Sequence, residues 1–366
     1  MDMKVLLCTP YDPSGKIPGG ISVWAKNIME YNRAFPEDVT IDVLDCDRTN
    51  SINENTGNFK RLYYGIKDYL NIIKQINRKT KKHEYNVVHI NTTVSWSAIK
   101  DIVLCKMMQK NGVKAILHYH FGRIPSLLKA KNWECKLVRT SIKNAHKAIV
   151  MDHDSYKALL NAGFKNVVEI PNPYSPRLET LVEKLRDNVQ RKPHRVLFAG
   201  RVFKKKGVYE LVRACSQIQG IELRMVGPCE EVDKNNLLEI ANHGQWIDFV
   251  GPVTQEKVIE EMMGCDVFVM PTYTEGFPNA VLECMVTKTP IIVTPVGAIP
   301  EMLDFDNNPC GVKIGVKNVK DIISAIQSTI DNEGLKNDLT ERAYQRVHEL
   351  YSLPKVGQQL YSVWRS

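Results

Sequence analysis

The sequence predicts an α/β protein with two domains, each built around a parallel sheet. The chain has 366 residues, which is more than one small core usually accommodates. Short apolar runs alternate with segments of helical periodicity, a pattern typical of a parallel sheet covered by helices on both faces. This alternation stops in the polar stretch 175–193 and then restarts. We therefore predict domains at 1–174 and 194–345, a linker at 175–193, and a helical C-terminal segment at 346–366.

The first domain alternates strands and helices from its beginning. Apolar runs predict strands at 4–9, 41–45, 86–91, 114–120, 148–151 and 167–170. Helical spacing predicts helices at 22–32, 60–82, 94–110 and 155–162. Ser22 is the residue type that favours an N-cap, so the first helix is expected to begin there.

The second domain repeats the pattern. Strands are predicted at 195–199, 223–226, 247–250, 266–270 and 291–294. Helices are predicted at 254–263, from 278 or 279 onward, and at 321–330, 339–351 and 354–364. Thr254 is a candidate N-cap for the first of these helices.

The stretch 270–283, M-P-T-Y-T-E-G-F-P-N-A-V-L-E, joins a buried strand to a helix through a turn. Proline suits the start of a helix, and a helix N-terminus attracts anions. Two carboxylates, Glu275 and Glu283, lie on either side of this helix start with seven residues between them. Carboxylates accept hydrogen bonds from sugar hydroxyls, so the pattern favours a polyhydroxylated, anionic ligand.

The string E-G-F-P-N-A-V-L-E-C-M resembles the Glu-x7-Glu signature of retaining glycosyltransferase family 4. The resemblance implies the GT-B fold, in which two Rossmann-like domains with parallel sheets face each other across a cleft. It implies that domain 1–174 binds the acceptor, that domain 194–345 binds the nucleotide sugar, and that the helical segment 346–366 packs back on the first domain. It implies that Glu275 is a catalytic residue beside the donor sugar and that Glu283 holds the ribose of the nucleotide. It also implies further donor-binding residues in the turn: Gly276, Phe277, Pro278 and Asn279.

The segment G-R-V-F-K-K-K-G-V, which follows the predicted strand 195–199, resembles the Gly-Arg…Lys-Gly segment of the same family. The resemblance assigns Arg201 and Lys206 to the donor. Arginine offers a planar fork of donors and lysine a mobile point charge, and a departing diphosphate needs such cations. A solvated basic turn is the alternative interpretation.

His118 and His120 lie two residues apart at the end of the predicted strand 114–120, so they share one face of the sheet. Ligands in open α/β sheets bind beyond the carboxyl ends of strands, which favours His120 as a functional residue. The resemblance implies that His120 faces the donor sugar and phosphate as a catalytic residue. A His-x-His metal site and a core histidine bonded to backbone are the alternatives.

Gly19 and Gly20 end a loop between the first predicted strand and helix. Their spacing is not G-x-G-x-x-G, so the dinucleotide fingerprint of nicotinamide enzymes is absent. The resemblance places this glycine pair near the donor phosphates, while a plain tight turn is the alternative. We expect no cofactor and no metal, because fixed cations and helix-end amides would stabilise the diphosphate. Asp45/Asp47 and Asp152/Asp154 are accordingly interpreted as structural or incidental.

The positive charge is concentrated in the first half of the chain. Residues 1–175 hold 26 basic and 16 acidic side chains, a net charge of +10, whereas the whole chain carries +8. The stretch 123–147 has seven basic residues, one acid and Trp133, and it can either lie on an anionic membrane or form a solvated helix face. No nucleic-acid-binding motif accompanies the charge, so we expect no nucleic-acid partner.

Nine scattered cysteines without a Cys-x-x-Cys pair are typical of a protein in a reducing compartment. The chain enters a strand at once, so we expect no signal peptide and a cytoplasmic protein, peripheral on the inner face of the plasma membrane if the basic segment binds lipid.

The resemblance as a whole implies a retaining, metal-independent glycosyltransferase of cell-surface polysaccharide synthesis. Its donor is expected to be a UDP- or GDP-linked sugar, and its acceptor a glycan or a lipid-diphosphate-linked glycan. Two alternatives remain, a catalytically inactive nucleotide-sugar-binding module and a basic nucleic-acid-binding protein.

Overall fold

The computed structural model describes residues 3–11, 20–36, 39–46, 58–81, 84–93 and 96–366. The chain divides into two compact units. Unit 1 comprises residues 1–173 and 353–366, and unit 2 comprises residues 174–352. Each unit contains one all-parallel sheet, six-stranded in the described part of the chain, so the predicted α/β class with two parallel sheets is confirmed.

Unit 1 alternates strands and helices. Its strands are β1 (Met3–Thr9), β2 (Val39–Asp45), β3 (Val87–Thr92), β4 (Lys114–Tyr119), β5 (Lys147–Val150) and β6 (Val167–Glu169). Its first helices are α1 (Gly20–Ala34), α2 (Asn58–Thr80), α3 (Ser97–Lys110), α4 (Ile124–Ala130), α5 (Trp133–Asn144) and α6 (His153–Asn161). The sheet order is β2-β1-β3-β4-β5-β6. Every residue of β3 is buried, as expected for a central strand covered on both faces.

Unit 2 repeats this organisation. Its strands are β7 (Arg195–Ala199), β8 (Glu222–Val226), β9 (Ile247–Gly251), β10 (Val267–Met270), β11 (Ile291–Val293) and β12 (Val312–Lys313). Its helices are α7 (Pro176–Leu185), α8 (Val208–Cys215), α9 (Glu231–Ile240), α10 (Gln255–Gly264), α11 (Asn279–Val286), α12 (Ile299–Met302), α13 (Val319–Ile330) and α14 (Glu333–Tyr351), with a 3-10 turn at Lys204–Lys206. The sheet order is β12-β11-β10-β7-β8-β9.

The chain returns to unit 1 at its end through α15 (Leu353–Arg365). Val356, Leu360 and Trp364 of this helix are buried in the same apolar cluster as residues of β1 and α1. The segment that rejoins unit 1 is therefore shorter than the predicted 346–366, because α14 continues to Tyr351 within unit 2.

The stretch predicted as a linker, 175–193, contains a helix. Ser175 caps α7 by accepting a hydrogen bond from the Arg177 amide at 3.2 Å. Leu178 and Leu185 are buried, and α7 packs on α10 and α11 of unit 2. A few apolar residues at helical spacing therefore outweigh the polar composition on which the linker prediction rested.

The prediction that Ser22 caps the first helix is wrong. Helix α1 begins at Gly20, and Ser22 is buried inside its first turn. Packing of Trp24, Ala25 and Ile28 against the sheet stabilises the helix beyond the position that cap preference indicates. The predicted cap of α10 is confirmed, since Thr254 Oγ1 accepts from the Lys257 amide at 3.3 Å.

No helix in the described ranges combines the length and the apolar character that crossing a membrane requires.

Candidate functional site

The sheet of unit 2 changes winding direction between β7 and β10. These strands are neighbours, with Val196 opposite Val267 and Leu197 opposite Phe268, although more than 60 residues separate them along the chain. The chain builds the sheet to one side of β7 through β8 and β9, then crosses to the other side with β10. Ligands in such sheets bind beyond the strand ends at this crossing. The segments that follow β7 and β10 are therefore the candidate site.

The segment after β7 carries the two predicted cations. Arg201 is exposed, and Lys206 ends the 3-10 turn. The next residue, Gly207, has φ +72°, and a Cβ atom on it would lie 1.9 Å from the carbonyl oxygen of Pro271. Only glycine allows the turn to lie this close to the end of β10. The close backbone contact between Gly207 and Pro271 therefore places Lys206 beside the end of β10.

Lys206 and Glu275 form an ion pair. Lys206 Nζ lies 2.5 Å from Glu275 Oε1, and the two side chains are 25% and 11% exposed. A backbone hydrogen bond from the Tyr273 amide to the Lys205 carbonyl, 2.9 Å long, holds the two segments together beside the pair. The structure therefore joins two of the residues that the sequence predicted, and both remain partly open to solvent. An anionic ligand could compete with Glu275 for the ammonium group of Lys206.

The turn before α11 is held by a second close approach. Gly297 has φ +61°, and a Cβ atom on it would lie 2.3 Å from the carbonyl oxygen of Glu275. The Ala298 amide donates to the Gly276 carbonyl at 2.9 Å. These contacts fix the backbone around Glu275 independently of its ion pair.

Helix α11 begins where the sequence predicted. Asn279 is its first residue and Pro278 stands at the N-cap position. The ring of Phe277 is buried, with its centroid 5.4 Å from that of Tyr351 on α14. Of the four predicted donor-binding residues in this turn, Phe277 can therefore reach a ligand through its backbone but not through its ring.

Glu283 lies on α11 in a different environment from Glu275. Its carboxylate accepts a hydrogen bond from Gln255 Nε2 at 3.3 Å. Burial raises the pKa of Glu283 to about 7, an effect that the Gln255 hydrogen bond partly opposes. The residue is half-buried, and its carboxyl group exchanges its proton near neutral pH because of that burial.

Unit 1 contains the predicted histidine pair at the end of β4. The ring centroids of His118 and His120 are 4.1 Å apart, which confirms that the two side chains share a face. The indole of Trp24 from α1 lies 5.3 Å from the His120 ring, centroid to centroid. His120 Nε2 and both ring nitrogens of His118 are buried without a hydrogen-bond partner in the described part of the chain. Burial first, and the neighbouring His89 second, lowers the pKa of His120 to about 3, so its ring is neutral.

His89 on β3 completes this cluster and was not predicted. Its Nδ1 accepts a hydrogen bond from Trp364 Nε1 at 3.0 Å, so a neutral ring carries its proton on Nε2 and donates to Asn91 Oδ1 at 3.2 Å. The amide of Asn91 in turn donates to Thr9 Oγ1 at 2.8 Å. This chain of hydrogen bonds joins the carboxyl ends of β1 and β3.

Three further predictions concern the loops and the aspartates. Gly20 is exposed at the start of α1, whereas Gly19 and Asp47 lie outside the described residues. Asp152 caps α6 by accepting from the Ser155 amide at 2.8 Å, and Asp45 accepts from the Tyr11 amide at 3.1 Å, so both have structural partners. Across the described ranges, no three His, Cys, Asp or Glu side chains are grouped as metal ligands.

Sequence reasoning missed two side chains beside the candidate site. Gln255 was not predicted because nothing near it in the sequence points to Glu283, 28 residues away. Tyr273 lies within the 270–283 stretch, where its hydroxyl donates to Glu210 Oε2 at 2.9 Å, and burial followed by this contact raises its pKa to about 12. Lys317 lies over the Tyr273 ring, 4.9 Å from its centroid.

Comparison with known proteins finds a family model that matches most of unit 2. Residues 183–346 match the family model described as glycosyl transferases group 1. The chain is 27% identical over 224 residues to an N,N'-diacetylbacillosaminyl-diphospho-undecaprenol alpha-1,3-N-acetylgalactosaminyltransferase of Campylobacter jejuni, covering 57% of each. It is 25% identical over 177 residues to the capsular polysaccharide biosynthesis glycosyltransferase CapM of Staphylococcus aureus, covering 46% of this chain and 45% of that protein. The chain thus spans about half the length of these curated relatives.

Solved structures match over nearly the whole chain. Sucrose-phosphate synthase from Thermosynechococcus elongatus superposes with a TM-score of 0.77 at 17% identity, covering 99% of this chain and 98% of that one. Anabaena HepE in complex with UDP-glucose superposes with a TM-score of 0.71 at 17% identity, covering 99% of both chains. At these identities the likeness establishes the shared fold.

Proposed function

We propose that this chain is a group 1 glycosyltransferase with the GT-B fold and that it transfers a sugar from a nucleotide-sugar donor to a glycan or lipid-linked glycan acceptor. The observation that carries the proposal is the Lys206–Glu275 pair where β7 and β10 adjoin. It combines a cation suited to phosphate with a carboxylate suited to sugar hydroxyls, at the edge of the sheet where such folds bind nucleotides.

Arg201 and Lys206 would stabilise the leaving group. In the transfer, the bond between the anomeric carbon and the diphosphate oxygen breaks, an acceptor hydroxyl bonds to that carbon, and its proton passes to the departing diphosphate. Negative charge grows on the departing nucleotide before the proton arrives. Fixed cations beside that oxygen lower the barrier because they interact more strongly with the transition state than with the bound donor. In this proposal the two cations take the place of a divalent ion, and the reaction is metal-independent.

Glu283 would orient the nucleotide. Its carboxylate accepts hydrogen bonds, and two ribose hydroxyls can donate to its two oxygens. Glu275 and His120 would position the transferring sugar, with His120 acting as a neutral ring. The family resemblance supports a retaining reaction, in which departure and attack take place on one face of the sugar. Gly20, Gly276, Pro278 and Asn279 complete the proposed donor contacts.

The acceptor proposal draws on the relatives. The Campylobacter jejuni relative is named for an acceptor linked through diphosphate to undecaprenol, and the Staphylococcus aureus relative for capsular polysaccharide biosynthesis. We therefore place this chain in cell-surface polysaccharide assembly, with a lipid-diphosphate-linked glycan as the acceptor class.

Nucleotide-sugar binding and turnover test the proposal. A thermal-shift screen of UDP- and GDP-linked sugars should identify a donor that raises the melting temperature, since a ligand that binds only the folded state stabilises it. With that donor, Arg201→Ala should lower turnover by about 100-fold or more, because a cation facing a developing oxyanion is worth several kcal/mol. Arg186→Ala, at an exposed arginine on the end of α7, should leave turnover unchanged.

Three results would contradict parts of the proposal. Equal turnover in the Arg201→Ala and Arg186→Ala variants would remove Arg201 from the mechanism. A donor that binds tightly but is neither transferred nor hydrolysed would identify the chain as an inactive nucleotide-sugar-binding module. Loss of turnover on treatment with a metal chelator, with recovery on adding Mg²⁺ or Mn²⁺, would overturn metal independence.

A further inference from the structure

Two tryptophans lie exposed and in contact with each other on the surface of unit 1. Trp96, just before α3, is 64% exposed, and Trp133, the first residue of α5, is 51% exposed. Their ring centroids are 5.1 Å apart with an interplanar angle of 35°. Trp24 and Trp364 of the same unit are almost completely buried. An exposed aromatic pair is costly in water and marks an interaction surface.

Helix α3 extends this apolar surface. Ile99 and Val103 are each 43% exposed, and they follow Trp96 at spacings of three and four residues, so the three side chains share one side of the helix. We call Trp96, Ile99, Val103 and Trp133 the tryptophan face. Next on the same side of α3 come Lys106 and Lys110, both exposed.

The exposed charges on the helices that carry the tryptophan face are all positive. The exposed charged side chains on α3, α4, α5 and their connections are Lys106, Lys110, Arg123, Lys129, Lys131, Lys136, Arg139 and Lys143. The acids of this region are Asp101 and Glu134. Asp101 is buried, and its Oδ1 lies 3.4 Å from Lys100 Nζ, whereas Glu134 is half-buried. Lys129 and Lys131 precede Trp133 by four and two residues. An anionic partner therefore meets cations beside the apolar face and no exposed carboxylate on α3, α4 or α5.

The tryptophan face lies at the edge of the sheet that carries the proposed catalytic histidine. Trp96 precedes α3, which follows β3, and Trp133 begins α5, which precedes β5. Helices that connect parallel strands start at the carboxyl edge of the sheet. His120 follows β4, the strand between β3 and β5, at that same edge.

We propose that the tryptophan face docks unit 1 on an anionic membrane surface. Tryptophan prefers the boundary between lipid headgroups and acyl chains, because its ring is apolar while its N–H bonds to polar groups. Lysines beside it interact with anionic headgroups while their aliphatic stems lie along the apolar boundary. A docked unit 1 presents its carboxyl sheet edge, with His120, toward the membrane, where the proposed function places a lipid-linked acceptor.

The observations favour a membrane over single-stranded nucleic acid and over a protein. Nucleic-acid bases stack on free aromatic faces, whereas these two rings contact each other and continue into an aliphatic stripe. Four apolar residues are few for a stable protein interface, which usually contributes about 20–30 residues a side.

Vesicle binding by the full chain tests the proposal without donor or acceptor, so its outcome is independent of the proposed glycosyl transfer. The chain should co-sediment with vesicles of phosphatidylcholine and phosphatidylglycerol, and much less with phosphatidylcholine alone or in high salt. Lys129→Ala/Lys131→Ala should weaken binding by about 30-fold, since each lysine near such a surface contributes roughly fivefold. Trp96→Ser/Trp133→Ser should weaken it by at least about tenfold, whereas Trp96→Phe/Trp133→Phe should retain most of it.

Matched variants separate this surface from general charge and from misfolding. Lys320→Ala/Lys355→Ala removes two exposed lysines that are far from α3–α5 in the sequence and should leave binding within about twofold of the wild type. Circular dichroism and melting temperature verify that each variant is folded. Equal binding by the wild type and the folded Trp96→Ser/Trp133→Ser variant would overturn the proposal, as would equal binding to neutral and anionic vesicles. Tighter binding to single-stranded RNA than to vesicles, or a tryptophan-dependent dimer without lipid, would assign the face to that partner instead.

Discussion

Glu275 and Glu283 have the same side chain and a fixed separation in the sequence, but their surroundings differ. Glu275 has the ammonium group of Lys206 at 2.5 Å, whereas Glu283 has the neutral amide of Gln255 at 3.3 Å. Burial without a cation raises the pKa of Glu283 to about 7. A pair of carboxylates with different environments suits two roles, one paired with a cation and one that exchanges its proton near neutral pH.

The Glu283 carboxyl group should make unit 2 less stable as pH rises. The folded state keeps its proton up to about pH 7, while the unfolded chain loses it near 4.5, so the folded state binds more protons between these values. The contribution of the Glu283 carboxyl group to the free energy of unfolding therefore falls as pH rises from about 5 to 8. Urea unfolding should show Glu283→Gln gaining stability relative to the wild type across this range. Glu239→Gln, at an exposed glutamate on α9, serves as the control and should show no such trend. Wild-type and Glu283→Gln curves that stay parallel in pH would contradict the assignment.

At the scale of elements, the candidate site depends on backbone contacts between loops. The turn after β7 and the segment after β10 meet where Gly207 abuts Pro271, and Gly297 abuts Glu275. A side chain at either glycine would overlap a backbone carbonyl. The strand order of unit 2 places these loops together, and the glycines allow them to approach closely enough for Lys206 to reach Glu275.

Gly207→Ala should therefore destabilise unit 2 more than a glycine substitution elsewhere with the same backbone conformation. Gly220 provides the control, since its φ of +76° nearly equals the +72° of Gly207, yet a Cβ atom there meets nothing within 4 Å. Gly220→Ala should cost about 1 kcal/mol from the left-handed conformation alone. Gly207→Ala should cost about 1–3 kcal/mol more, because the loop has to move away from Pro271. Urea unfolding of both variants measures the difference, and equal losses would show that the close contact is dispensable.

At the scale of the whole molecule, unit 1 is built from two stretches of the chain that are separated by unit 2. Residues 353–366 leave unit 2 and complete the core of unit 1. The indole of Trp364 donates to His89, 275 residues earlier in the chain, and thereby sets the tautomer of the buried histidine. The C-terminal helix is thus a structural part of the unit that contains His120.

Trp364→Phe should loosen unit 1 and leave unit 2 unchanged. The substitution removes the indole of α15 and leaves His89 Nδ1 without its donor, a loss of about 1–3 kcal/mol for a buried acceptor. Hydrogen exchange should become faster in β1, β3 and α1, with no change in β7, β8 and β10. Trp246→Phe alters a half-buried tryptophan of unit 2. It should make hydrogen exchange faster in the strands of unit 2 and leave exchange in unit 1 unchanged. If Trp364→Phe made hydrogen exchange faster by the same factor in both units, the assignment of α15 to unit 1 would be contradicted.

The sequence by itself determined the α/β class, most strand and helix positions, and the start of α11 at Asn279. These features can be predicted because strand runs, helical periodicity, turn residues and short motifs are local in the chain. The helix α7 within the expected linker escaped prediction because its stability comes from packing on α10 and α11 rather than from its composition.

Only the tertiary structure decided which side chains meet. The partners Lys206 and Glu275 are 69 residues apart, and His89 and Trp364 are 275 apart. The raised pKa of Glu283, the pairing of Trp96 with Trp133, and the burial of the Phe277 ring likewise depend on which strands and helices are neighbours. Sequence patterns indicate how each segment folds locally, but contacts between distant segments depend on strand order and close backbone packing, which arise only when the whole chain is assembled.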